Sequence, residues 1–404
     1  MNRKSLQILL LILCLAVSAA AQVNLNAPIP VDPNVRIGKL DNGLTYYIRK
    51  NSKPENKVEL RLAVNAGSIL EREDQQGMAH FLEHMAFNGT KNFKKNELVS
   101  YLQSIGVKFG ADLNAYTSFD ETVYILPIPT EKKELIDKGL LILSDWASAI
   151  ELDPAEIQKE KGVVLEELRL GRGANQRMRD RYFPLLFKGS RYAERLPIGK
   201  KEVIENLDRK ALVDFYEDWY RPDLMAVVAV GDLDVDEMEK KIKAAFSGIK
   251  SKRKNVERPD FPVPDHKETL IAVETDKEAQ LTLAQLLFKK PEEKYKTLAD
   301  LRKEIVKSFF NTMFNARLNE LRQSPNPPFV FGAGSFSSLT RTKDAYSMFG
   351  ASDPQGIKTT IKTLLEENKR VKEYGFTQGE FERQKQNYLT NLENSYKERD
   401  KNES

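Results

Sequence analysis

Cysteine is nearly missing from this chain, histidine is scarce, and neither sign of charge dominates. The only cysteine is Cys14. It lies within residues 1–21, where Arg3 and Lys4 precede an apolar run from Leu6 to Val17, and Ala19-Ala20-Ala21 stands before Gln22. That arrangement reads as a secretory signal with a small-residue cleavage site. The apolar run is short of the roughly 20 residues that a bilayer span needs, and Leu13 is a poor fit before a lipid-attachment cysteine. The mature chain is therefore expected to have no cysteine and no disulfide. Export across the inner membrane into a bacterial periplasm or envelope suits that composition. No other stretch is apolar and long enough to span a bilayer.

Two of the 63 basic residues belong to the leader, so 61 face 59 acidic ones. That balance gives no electrostatic case for nucleic acid. With 404 residues, 41% of them hydrophobic, the chain can bury the cores of two or three domains.

Of the three histidines, His80 and His84 stand together in Gly77-Met-Ala-His80-Phe-Leu-Glu83-His84-Met-Ala-Phe-Asn88-Gly89. As a helix, this segment has Met78, Phe81, Leu82 and Met85 on one face. His80, Glu83 and His84 fall on the other, within an arc of about 100°. Asn88-Gly89 is a helix stop. Two imidazoles one turn apart can grip one cation, and the carboxylate between them can take a proton from bound water. His-x-x-Glu-His is the inverted zinc-hydrolase signature, so Zn2+ is the expected cofactor, with Glu83 catalytic. The third histidine, His266, reads as a surface residue.

Asp41-Asn42-Gly43 signals a hairpin, and Val58 to Val64 alternates as a half-buried strand. Asn96 to Ile105 and Glu131 to Ile150 read as helices, with Val107 to Pro129 rich in strand between them. Asp153-Pro154 opens a further helix as N-cap and first residue. Its apolar stripe is Ile157, Val164, Leu165 and Leu168. Glu160 and Glu167 lie within about 20° of each other beside that stripe, and Glu166 projects away. A carboxylate at the edge of a buried stripe needs a partner. Glu167 is thus the expected third metal ligand and Glu160 its support. Gly171 to Pro197 reads as an irregular excursion. Helix from Arg209 to Trp219, strand from Leu224 to Gly231 and helix from Asp236 to Phe246 follow.

The expected organisation is a metal-binding unit at 30–250, a proline-marked linker at 251–266 and a second copy at 267–404. Phe331-Gly-Ala333 stands 222 residues after Phe109-Gly-Ala111, and Thr377 to Leu392 parallels Asp153 to Leu168. Gln384 and Asn391 replace Glu160 and Glu167, so the second copy is degenerate. It also lacks counterparts of the strand near Val227 and the helix near Met238, which implies completion by further sequence or a partner.

His80-Phe-Leu-Glu83-His84-Met-Ala-Phe-Asn-Gly-Thr90, Asn114-Ala-Tyr-Thr-Ser118, Glu160 to Glu167, Leu196-Pro-Ile-Gly199 and Phe215 to Pro222 together resemble the pitrilysin/insulinase family of zinc metallopeptidases. That family includes the mitochondrial processing peptidases. The resemblance implies an α+β fold, with a mostly antiparallel sheet faced by helices as a duplicated unit, the second copy here being incomplete. It implies zinc on His80, His84 and Glu167, Glu83 as general base, and Glu160 supporting the site. It also implies that Asn114, Ala115, Tyr116 and Thr117 form the edge strand along which an unfolded peptide is laid. From the residues alone, Asn114 is equally a turn or strand-end residue. The arginine and tyrosine that an opposing half contributes in many members have no placement here. The competing reading is a non-catalytic peptide-binding or assembly subunit, and a third is a metal hydrolase acting on a non-peptide bond.

Overall fold

The computed structural model describes residues 23–95, 97–107, 114–253, 257–399 and 401–402. The expected signal segment, Asn96 and the Phe109-Gly-Ala111 half of the repeat lie outside them.

Asp41-Asn42-Gly43 turns the chain between β1 (Val35–Lys39) and β2 (Thr45–Lys50). Gly43 has φ 97°, the left-handed region that glycine enters without penalty. β3 (Lys57–Val64) alternates, burying Val58, Leu60, Leu62 and Val64 completely. The histidine motif forms α1 (Met78–Met85), followed by α2 (Glu97–Ser104), β4 (Asn114–Thr117) and β5 (Thr122–Pro129). Five helices come next: α3 (Lys133–Ser148), α4 (Pro154–Leu170), α5 (Ala174–Leu186), α6 (Lys201–Glu205) and α7 (Arg209–Trp219). β6 (Met225–Gly231) and α8 (Val235–Phe246) close the unit.

The six strands make one sheet in the order β1-β2-β6-β3-β5-β4. Every neighbouring pair is antiparallel except β2 and β6, which run parallel with Thr45 opposite Ala226. One face, carrying Ile48, Leu60, Leu62, Tyr124, Leu126 and Val227, is buried completely. Helix α3 approaches it so closely that a Cβ on Gly139 would sit 2.9 Å from Ile128. On the opposite face Tyr47 and Arg61 are exposed.

The stretch expected to be irregular, Gly171 to Pro197, is a correction: α5 runs through it with Pro184 near its end. Two glycines and a proline pointed away from helix, but tertiary contacts decide. Phe183 stacks on Phe119 with centroids 6.0 Å apart, and Arg177 Nη2 lies 2.6 Å from Asp276. The segment after it, Glu257 to His266, has no regular structure yet is pinned down. Val263 is buried in the main core, and Arg258 Nε donates to the Asn65 carbonyl at 2.9 Å.

A second, three-stranded sheet follows, built from β7 (Thr282–Pro291), α9 (Leu298–Arg322), β8 (Phe331–Thr340), β9 (Lys343–Ser352), α10 (Ile357–Tyr374) and α11 (Gln378–Glu398). Its strand order, β7-β9-β8, repeats β3-β5-β4, and two helices again follow the hairpin. The fold is thus a duplicated α+β unit. The second core is smaller, centred on Phe314, Leu318, Phe329, Met348 and Leu364. Counterparts of β1, β2 and β6 do not occur among the described residues.

Candidate metal centre

Helix α1 is only eight residues long, and its position is fixed at both ends from outside. The buried Glu71 carboxylate accepts from the backbone N–H groups of Gly77 and Ala79, at 3.0 and 2.8 Å. A carboxylate there satisfies otherwise unpaired amides and matches the helix dipole. Burial nonetheless pushes the Glu71 carboxyl up to about 8, against these bonds and the nearby Arg195 and Arg191. Gly77 has φ 100°, and Leu196-Pro-Ile-Gly199 packs against it: a Cβ on Gly199 would stand 2.4 Å from Gly77 Cα. At the far end, Trp146 Nε1 donates to the Ala86 carbonyl at 2.9 Å. The apolar face is buried as its spacing predicts, with Met78, Phe81, Leu82 and Met85 at 1% exposure or less.

The polar face of α1 meets α4. Asp153 caps α4 by accepting from Ala155 N and Glu156 N at 2.8 and 3.1 Å, which sets the helix register. Glu167 Oε2 lies 3.6 Å from His80 Nε2 and 3.4 Å from His84 Nε2, and the two Nε2 atoms are 3.2 Å apart. Tetrahedral zinc with bonds of about 2.0–2.1 Å places neighbouring ligand atoms roughly 3.3–3.4 Å apart. These three donors fit that tetrahedral edge. They are also the one group of metal-capable side chains found among the described residues.

The surroundings prepare both rings differently. His84 Nδ1 is 2.8 Å from Glu160 Oε1, and Glu160 Oε2 accepts from Asn88 Nδ2 at 2.6 Å. That pairing directs His84 Nε2 toward Glu167. Burial disfavours a charged His84, but the Glu160 bond and the neighbouring carboxylates outweigh it and raise its pKa. Glu160 is likewise half-buried, yet its bonds from His84 and Asn88 hold its carboxyl low. Burial, then repulsion from His84, pushes His80 down to about 4, leaving a neutral imidazole available as a ligand. The buried Nδ1 of His80 has no hydrogen-bond partner among the described residues.

Glu83 is 9% exposed. Burial raises its carboxyl above the ordinary range, opposed by a hydrogen bond from Thr117 Oγ1 to Oε2 at 2.6 Å. Thr117 belongs to β4, the last strand of the sheet, whose outer edge is unpaired among the described residues. Ser118 N–H donates to the Glu121 carbonyl at 2.8 Å, so the ladder's alternation points the Ala115 and Thr117 backbone groups toward that open edge. Asn114 and Tyr116 are exposed, and Ala115 and Thr117 are half-buried. All the site residues expected from the sequence therefore gather here, while His266 is exposed and bonded to the Glu268 carbonyl. In the second copy Gln384 is buried and Asn391 exposed.

Three participants were not legible beforehand. Glu71 carried no helix-period signal, Asn88 read only as a helix stop, and the Thr117 hydroxyl gave no sign of reaching Glu83. The Glu-x5-Gly-x-Ala spacing before the motif is the one feature that could have exposed Glu71.

The model of the insulinase peptidases, family M16, matches residues 46–181, and that of the M16 inactive domain matches residues 206–388. The chain belongs to the M16, or insulinase, family of peptidases. The zinc protease PQQL-like of Arabidopsis thaliana is 41% identical over 72% of this chain and 31% of its own length. The probable zinc protease PqqL of Haemophilus influenzae is 32% identical over 94% of this chain and 41% of its own. Among solved structures, the first half of the periplasmic protease PqqL from Escherichia coli superposes with a TM-score of 0.86 at 29% identity, covering 93% of this chain and 81% of that one. The chain thus spans about two fifths of the Haemophilus relative's length and about a third of the Arabidopsis one's. Among the described residues, no helix is long and apolar enough to cross a membrane.

Proposed function

We propose that this chain is the N-terminal half of a zinc endopeptidase of the bacterial periplasm or envelope that hydrolyses unfolded peptides. The observation that carries the reading is the meeting of a buried carboxylate, a three-donor cluster and an open sheet edge within one site. Zinc held by His80, His84 and Glu167 would supply Lewis acidity, activating water and polarising a peptide carbonyl. The chain's own residues supply the rest. An extended peptide pairs its backbone along β4, which asks little of its sequence. Glu83, kept at a raised pKa by burial, takes the proton of the attacking water and returns it to the leaving amine. Thr117 orients that carboxylate, and Glu160 orients His84.

The relatives' greater length supports a second half that completes the substrate chamber. The test is metal analysis coupled to cleavage of a quenched peptide, on this chain and on a version carrying the sequence that follows. Glu83→Gln should keep stoichiometric zinc and lose turnover by about a thousandfold or more. Full activity in that variant would overturn the mechanism, and the lack of stoichiometric zinc in the wild type would leave only a binding subunit.

A further inference from the structure

The two copies meet through equivalent turns. The β4–β5 turn runs from Ser118 to Glu121, and the β8–β9 turn from Thr340 to Lys343. Arg341, in the second turn, reaches into the first copy. Its Nη1 donates to Asn65 Oδ1 at 2.5 Å and its Nη2 to the Asp120 carbonyl at 3.4 Å, while its Nε is 3.4 Å from Asp120 Oδ1. Asp120 is 8% exposed, and both its oxygens are engaged elsewhere too. Oδ1 accepts from Arg258 Nη2 at 2.9 Å, and Oδ2 accepts from Tyr192 Oη at 2.8 Å.

A hairpin turn is normally polar and open to water. Here it holds a buried carboxylate between two guanidinium groups, which is costly to desolvate and stabilises chiefly by selecting one arrangement. What it selects is adjacent to the site. Thr117, the donor to Glu83, immediately precedes this turn, and among the described residues β4 has a strand neighbour on one side only. The turn is gripped again where the Ser118 carbonyl accepts from Ser68 N–H at 3.2 Å. The position of Thr117 therefore depends on β5 and on how firmly Ser118 to Glu121 is held.

We propose that Arg341 is a positioning residue: the degenerate copy, with Gln384 and Asn391 where the first has Glu160 and Glu167, fixes the turn that sets Thr117 against Glu83. The catalytic consequence rests on the peptidase reading; the holding of the strand does not.

Arg341→Ala and Arg341→Lys, made in this chain and in the version carrying the sequence that follows, each loaded with zinc, separate positioning from simple tethering. In Arg341→Ala, amide hydrogen exchange over residues 114–121 should quicken by about tenfold or more, with β3 and β6 unchanged. Arg341→Lys, which keeps the charge but cannot fork between Asn65 and Asp120, should fall between it and the wild type. With zinc content intact, kcat should fall about tenfold, and adding Arg341→Ala to Thr117→Val should lower it no further than Thr117→Val alone. Exchange that rises evenly over both sheets, or effects that multiply independently, would overturn the proposal. Should neither the wild-type chain nor the version carrying the sequence that follows cleave peptide, the peptidase reading fails, and the exchange pattern alone decides whether Arg341 holds the strand.

Discussion

Thr117 donates its hydroxyl proton to Glu83 across 2.6 Å, joining an open-edged strand to the carboxylate that stands between two histidines. The strand that would receive substrate and the group that would move the proton are thus mechanically one part.

Replacing Thr117 with Val keeps the shape and deletes the donor. A hydrogen bond to a charged group contributes about 1.5–3 kcal/mol, so kcat should fall roughly ten- to a hundredfold. Zinc content should not change. Steady-state kinetics with metal analysis on the same preparation checks both.

Glu160→Ala removes the acceptor that orients His84 and leaves its Nδ1 without a partner. Losing such support lowers metal affinity by about 10- to 100-fold. Asn88→Ala, which only loosens Glu160, should cost less. Competition with a calibrated zinc chelator ranks the three proteins.

Gly199 has φ +76°, and a Cβ there would lie 2.4 Å from Gly77 Cα and 2.6 Å from the Gln76 carbonyl oxygen. Backbone cannot rotate aside as a side chain can. Gly199→Ala should destabilise the fold by about 2–4 kcal/mol. It should also weaken zinc binding, because the start of α1 has to shift. Urea denaturation and the same chelator competition read these two effects.

Glu380 in the second copy is held by Arg317, whose Nε and Nη2 donate to its two oxygens at 2.5 and 2.8 Å. Those bonds lower the carboxyl from 4.5 to about 2. A depressed carboxylate stabilises the fold at pH values above its unfolded pKa, and the effect is lost as pH falls toward its folded pKa. The stability difference between wild type and Glu380→Gln should therefore be full above about pH 4.5 and shrink progressively toward pH 2. Denaturation at pH 7, 4 and 2.5 follows it.

Periodicity made α1, α3, α4 and β3 legible, because each buries one face and the spacing of its apolar residues records which. The same arithmetic put Glu160 and Glu167 on one side of α4, where both meet α1. Helix α5 was not legible: glycine and proline are local signals, and Phe183 and Arg177 answer to residues far away in the chain. Glu71 was hidden for a related reason. It lies outside any regular element, and its work is done on backbone amides, which have no residue identity to read. Arg341 and Asp120 look like ordinary turn residues, since their meeting depends on how the two copies face each other.

The placement of β6 bears on how the chain is born. It lies between β2 and β3, joined to the one in parallel and to the other antiparallel. A nascent polypeptide that has left the ribosome only as far as α7 holds both histidines and Glu167, yet its sheet is two separate ribbons with exposed edges. The complete six-stranded sheet needs Met225 to Gly231 to emerge and wedge them together, a long loop to close. Until then the unfinished sheet offers its edges to chaperones or to other chains.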